Sequence, residues 1–129
     1  MKTLVRLMLI SMLMIGVVSA YSAECVQIWK CELDDDATEA EVIGMARDWL
    51  KAAKKVKGGE RLEAYVYFPV AVAGIGEYDC LFVVTAPSFE EWGRFWDNYE
   101  GSEAALTEVA NQEMVITPES AVWEVVKIK

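Results

Sequence analysis

Apolar and polar positions alternate along this chain with two different periods, one of two residues and one near 3.6, and the switches between them mark its elements. Cys25 to Leu33 (CVQIWKCEL) reads as a strand, closed by Asp34, Asp35 and Asp36. Thr38 to Glu41 (TEAE) is a capping box, in which the threonine and the glutamate three positions later each satisfy a free backbone N–H. A helix is predicted from there to about Lys57. At ~100° per residue, Val42, Ile43, Met45, Ala46, Trp49, Leu50, Ala53 and Val56 share an arc of roughly 160°, and Gly58-Gly59 ends the helix.

Arg61 to Val70 (RLEAYVYFPV) returns to alternation and predicts a second strand that stops at Pro69. Ala71 to Asp79 (AVAGIGEYD) reads as a long, mobile hairpin connection. Gly74 and Gly76 lack the third glycine or lysine of a phosphate-binding loop. Cys80 to Thr85 (CLFVVT) is almost wholly apolar, as expected of a central strand. After Pro87, Ser88 and Glu91 form a second capping box. In the helix that follows, Phe89, Trp92, Phe95, Trp96 and Tyr99 occupy about 120° of arc, with Glu90, Glu91, Arg94, Asp97 and Asn98 on the other side. That is a core-facing stripe. Gly101 breaks the helix, a further helical piece runs from Ser102 to about Glu113, and Pro118 leads into a last strand over Ala121 to Lys129. The order strand, helix, strand, strand, helix, strand is the split pattern of ferredoxin-like α+β folds. Its physical solution is a four-stranded antiparallel sheet with the helices on one face.

The other face of the sheet is the candidate functional surface. If Leu62, Ala64, Val66 and Phe68 point to the helices, Glu63, Tyr65 and Tyr67 point away, and the first strand adds Gln27, Trp29 and Cys31. The last strand contributes either Trp123 and Val125 or the favoured set Val122, Glu124 and Val126. A face carrying Trp29, Tyr65 and Tyr67 is too apolar to stay wet and calls for a partner.

Ahead of these elements, MKTLVRLMLISMLMIGVVSA has a basic start (Lys2, Arg6), an apolar run from Leu7 to Val18 and small residues at its end. This is the pattern of a secretory signal peptide over residues 1–20, cleaved after Ala20 to leave a single domain over residues 21–129. The expected location is periplasmic or secreted in a bacterium, with no membrane attachment after cleavage. The full chain carries a net charge of −9. Loss of Lys2 and Arg6 leaves ten basic against twenty-one acidic residues, a net of −11. Such an acidic domain is not expected to bind nucleic acid or anionic membrane, which select basic patches. The chain contains no histidine, which excludes histidine-ligated haem, histidine-containing zinc sites and Ser-His-Asp or Cys-His catalysis. Of its three cysteines, Cys25 and Cys31 lie on one strand roughly 20 Å apart, far beyond disulfide reach. Any internal disulfide therefore uses Cys80, with Cys25 or Cys31 as its partner. The pair Cys25–Cys80 is the candidate, and the odd cysteine is expected to be buried as a small apolar residue.

With the split pattern and the aromatic free face in place, the chain resembles the dimeric α/β-barrel superfamily, in which two such sheets close face to face around a central cavity. YVYFPVAVAGIGEYDCLFVV and PSFEEWGRFWDNYEG are also similar to small secreted bacterial proteins of unassigned function related to antibiotic-biosynthesis-monooxygenase-like domains. The resemblance covers nearly all of the mature chain. It implies a homodimer, and activities that range from cofactor-free oxidation of polycyclic aromatic substrates to haem degradation by relatives that use a histidine this chain lacks. No cofactor and no metal are expected.

Three functions are consistent with these readings. One is a homodimer binding a small, largely apolar molecule between its sheets, with Gln27, Trp29, Glu63, Tyr65, Tyr67 and Glu124 as candidate ligand-binding residues. Another is a cofactor-independent monooxygenase-like enzyme using Glu63 or Glu124 as general base, its pKa raised by burial. The third is a dimerisation or interaction module without a cavity. No motif fixes a catalytic residue, and none is assigned.

Overall fold

The computed structural model describes residues 24–71 and 78–129. The signal sequence expected over residues 1–20 and most of the connection expected over Ala71 to Asp79, including Gly74 and Gly76, lie outside them. The elements run β1 (Glu24–Leu33), α1 (Glu39–Ala53), β2 (Glu63–Tyr67), β3 (Cys80–Ala86), α2 (Phe89–Asp97), α3 (Glu103–Asn111) and β4 (Val115–Val125). The strands form one sheet in the order β2-β3-β1-β4, antiparallel at every pairing. This is the ferredoxin-like α+β arrangement expected from the chain.

Local chemistry explains the boundaries. Thr38 caps α1, with its hydroxyl accepting from the Glu41 N–H and the Glu41 carboxylate returning to the Thr38 N–H at 2.8 Å. The carboxyl of Glu41 is held below its ordinary value by these bonds. Ser88 caps α2 through the Glu91 N–H, but the Glu91 side chain goes to Arg61 at 2.6 Å instead of completing a second box. Ser102 caps α3. Gly58 and Gly101 both have positive φ, +93° and +75°. At Gly58 a Cβ would also lie 2.5 Å from the Phe95 nitrogen, so the turn after α1 can pass against α2 only without a side chain.

The last strand departs from expectation, since β4 starts at Val115 rather than Ala121 and ends at Val125. Pro118 lies inside it. Because β4 is an edge strand and its register with β1 shifts between Lys30 and Glu32, the missing proline N–H falls at an irregularity and costs no regular ladder bond.

The helices cover one face of the sheet, and an aromatic layer holds them there. Trp92 and Phe95 stack at 5.2 Å, Trp49 meets Phe95 and Phe82 edge-on, and Trp29 sits 5.6 Å from Phe82 and 6.3 Å from Trp92. Trp92, Phe95 and Tyr99 are buried as the stripe predicts, whereas Phe89 and Trp96 remain 45% and 38% exposed. The stripe is therefore core at its centre and surface at its edges.

This layer reverses the expected facing of β1. Gln27 and Trp29 point to the helices: the Trp92 indole N–H donates to the Gln27 side-chain oxygen at 3.1 Å, and Trp29 packs on Trp92 and Trp96. Cys31 is buried on the same side. By register, Glu124 is opposite Cys25 and shares that face, while Trp123 is opposite Val26 on the open side. The reason is that β1 is apolar at both parities, Val26 and Ile28 against Trp29 and the cysteines, so alternation does not choose. Glu63, Tyr65 and Tyr67 do lie on the open face, joined there by Leu81, Val83, Val26, Ile28, Trp123 and Val125.

Phe95 is fully buried and touches Trp49, Trp92, Trp96 and Tyr99. Urea unfolding should show a loss of about 3–5 kcal/mol for Phe95→Ala and clearly less for the part-exposed Trp96→Ala. Equal losses would mean that Trp96 carries as much of the core as Phe95.

Candidate functional site

The helix-side core divides into two clusters. One gathers Trp49, Trp92, Phe95 and Tyr99 with Leu62 and Val84, and the other is built on Cys31, Val42 and Cys80. Trp29 and Phe82 pack against both. A pocket of about 480 Å³ lies at this division, between the sheet, α1, α2, α3 and the start of β4. Its apolar wall includes Trp29, Trp49, Phe82 and Trp96, its inner end Cys31 and Cys80, and its exposed Val109 and Ile116 mark where it reaches the surface. Closed and dry, such a volume would cost roughly 11 kcal/mol at about 24 cal/mol per Å³, comparable to the whole stability of a small domain. It is thus a site open to solvent and not a packing defect, and its size falls in the range of small-molecule pockets.

One polar device stands in this wall. The Trp49 indole N–H donates to the Tyr99 hydroxyl at 2.9 Å, and the Tyr99 hydroxyl donates to Glu108 Oε2 at 2.5 Å. The three residues come from α1, the turn after α2 and α3, so the relay also ties these elements together. Burial, and then the bond to Glu108, push the Tyr99 phenol above its ordinary value, which keeps it a donor. A carboxylate has two oxygens and about four acceptor sites. Glu108 therefore keeps acceptor capacity for a molecule in the pocket, beside Asn111 and Gln112 of the same wall.

Of the six candidate ligand-binding residues, Trp29 alone lines this pocket. Gln27 lies behind it, holding Trp92 and reaching Ser120 at 3.5 Å. Tyr65 donates to Glu63 at 2.8 Å and sits 6.4 Å from Tyr67 on the open face. Glu124 stands on the exposed edge strand. The structure thus divides the six between two sides of the sheet. Tyr99 and Glu108 escaped the sequence reading because nine residues and a helix break separate them. The one available signal was a tyrosine at the end of a buried stripe, whose hydroxyl requires a partner.

The candidate disulfide Cys25–Cys80 is corrected. Cys25 is opposite Ala86, while Cys80 is opposite Cys31, which leaves Cys25 and Cys80 roughly 20 Å apart along the sheet. All three thiols are free and buried.

Among the described residues, no helix is long and apolar enough to cross a membrane, and no group of three or more metal-ligating side chains is found. No family model and no curated protein matches the chain. Among solved structures it is similar to HapK from Hahella chejuensis, at 18% identity over 81% of this chain and 95% of that one, with a TM-score of 0.50. A dimeric ferredoxin-like protein of unknown function from Thermobifida fusca is 13% identical over 83% of this chain and 93% of its own, with a TM-score of 0.48. A mutant chlorite dismutase from Candidatus Nitrospira defluvii is 15% identical over 84% of this chain, with a TM-score of 0.41, and the present chain spans only 42% of its length. The strand order and its antiparallel pairings define a ferredoxin-like α+β protein.

The raised Tyr99 value has a signed consequence for stability. Above about pH 10 the unfolded chain releases the phenol proton while the folded chain retains it, so stability is level below that pH and falls above it. Denaturant unfolding across this range should show a smaller fall in Tyr99→Phe than in the wild type. Identical slopes would place the phenol in an ordinary environment.

Proposed function

We propose that this chain is a small-molecule-binding protein whose pocket under the helices receives a flat, largely aromatic molecule carrying a hydrogen-bond donor. The observation that supports the reading is the Trp49–Tyr99–Glu108 relay set into a mostly aromatic and apolar wall. Trp29, Trp96 and Phe82 all line the pocket and give a planar ring system aromatic surface to pack against. Among the described lining residues Glu108 is the one carboxylate, and a phenolic or amide proton of the ligand is its natural partner. In this reading the ligand site lies within each protomer, not between the sheets.

The open sheet face is covered by a second copy of the chain. Tyr65, Tyr67, Leu81, Val83, Val26, Ile28 and Trp123 make it apolar across its width. Its central cation, Lys30, is already paired with Glu119 at 2.7 Å, and the Glu63 carboxylate, on the edge strand β2, accepts from the Tyr65 hydroxyl, so two copies can meet across the centre of the face without burying an unpaired charge there. Export across one membrane, from the pattern of residues 1–20, belongs to the same proposal. Turnover is a second reading, favoured only by the carboxylate in the pocket: Glu108, rather than Glu63 or Glu124, would accept the substrate proton there.

Titration with hydroxylated polycyclic aromatics such as 1-naphthol, followed by tryptophan fluorescence, should show saturable quenching. Glu108→Gln should weaken binding about 10- to 100-fold, the value of a hydrogen bond to a charged group. Val109→Trp, at the exposed mouth, should abolish binding with the fold intact. A panel that fails to quench, or binding indifferent to both changes, would remove the pocket from consideration.

For the second copy, sedimentation of the wild type should give a dimer and Tyr65→Glu a folded monomer, because the change sets an unpaired charge in the covered face. A dimer that withstands the substitution would move the interface elsewhere.

A further inference from the structure

The inner end of the pocket is formed by two sulfurs. Cys31 on β1 and Cys80 on β3 are direct register partners, and both are buried against Val42, with Val66 and Phe82 packed around them. Directly opposed residues of an antiparallel ladder have Cα atoms about 4.5 or 5.5 Å apart, and both spacings fall within the roughly 4.4–6.8 Å that a disulfide spans. Their side chains leave the sheet on the same face, as a disulfide between them requires. The thiols already interact. Cys31 Sγ donates to the Trp29 carbonyl oxygen at 3.7 Å. Their mutual contact holds the Cys31 thiol below its ordinary value and, with burial, pushes the Cys80 thiol above its own. Cys25 stands apart, its thiol donating to the Ser88 carbonyl oxygen at 3.8 Å.

Buried cysteines commonly serve as small apolar residues, but that role requires neither register partnership nor placement at the end of a pocket that reaches solvent. The geometry points to a reversible cross-strand disulfide between Cys31 and Cys80 that closes the inner end of the pocket. The inference stands on sheet register and does not depend on the ligand reading. The oxidant is a low-molecular-weight disulfide that enters through the pocket. One of the two thiols gives its proton to water and attacks one of the oxidant's sulfurs, forming a mixed disulfide and releasing one thiolate. The other gives its proton to water and attacks the protein sulfur of that mixed disulfide, releasing the second; the two released thiolates take up two protons. Two protein thiols are oxidised and one external disulfide is reduced to two thiols, so the exchange balances. Closure ties β1 to β3 and removes both thiol protons at the inner end of the pocket, so pocket chemistry follows the redox state of the surroundings.

The test is equilibration of the chain in mixtures of reduced and oxidised glutathione, acid quenching, alkylation after denaturation and mass analysis. The expected result is a single step from three alkylated cysteines to one, with Cys25 alone alkylated and a peptide map linking Cys31 to Cys80. Cys25→Ser should pass from two to none, and Cys80→Ser should never lose two thiols in an intramolecular bond. The oxidised wild type should melt about 10 °C or more above the reduced form, as expected for a loop of this size in a small domain. Three alkylatable cysteines in fully oxidising buffer, a stable glutathione adduct on Cys31, or a bond that includes Cys25 would each overturn the inference. The wild-type measurement decides the matter even where a variant fails to fold.

Discussion

The hydrogen bond from the Trp92 indole to the Gln27 side chain is the contact on which the rest of the molecule turns. It joins the centre of α2 to the centre of β1 inside the aromatic layer, where an unpaired indole N–H or amide oxygen would cost about 1–3 kcal/mol each. More consequentially, it fixes the parity of β1. Side chains alternate with a period of two, so a one-residue slip would send Trp29 and both β1 cysteines to the open face and bring Val26, Ile28 and Lys30 under the helices. With Gln27 held inward, Trp29 becomes the bridge between the two core clusters and Cys31 the partner of Cys80.

The pocket follows from the same layer. Large rings fill the core between α1 and α2 but leave a gap where the core divides, and α3 closes over it with short side chains and one carboxylate. The Trp49–Tyr99–Glu108 relay is then both mortar and recognition element. It satisfies two aromatic polar atoms that the core would otherwise strand, and it ends on a charge at the pocket wall. A pocket roofed by the domain's own helices leaves the opposite sheet face free for a different task, and that face is apolar while its central cation is already neutralised.

Much of the fold was legible because its signals are local. The capping box at Thr38, the glycine turn at Gly58 and the caps at Ser88 and Ser102 place the helix boundaries without reference to distant residues. The stripe from Phe89 to Tyr99 predicted which side of α2 is buried, though not that Trp96 would stand at its edge. Pro118 misled because a proline signals a boundary only in a strand paired on both sides, and nothing local announces that β4 is an edge strand with an irregular register.

The sequence by itself determined the order of the elements, the antiparallel α+β architecture, the acidic character and the absence of histidine chemistry, because composition and periodicity are properties of the chain alone. Only the tertiary structure decided which face of β1 points inward, that Cys31 and not Cys25 meets Cys80, and that Trp49, Tyr99 and Glu108 converge on one pocket. Each of these depends on pairing between residues far apart in the chain. Where a central strand is apolar on both faces, only the packing of such partners breaks the tie.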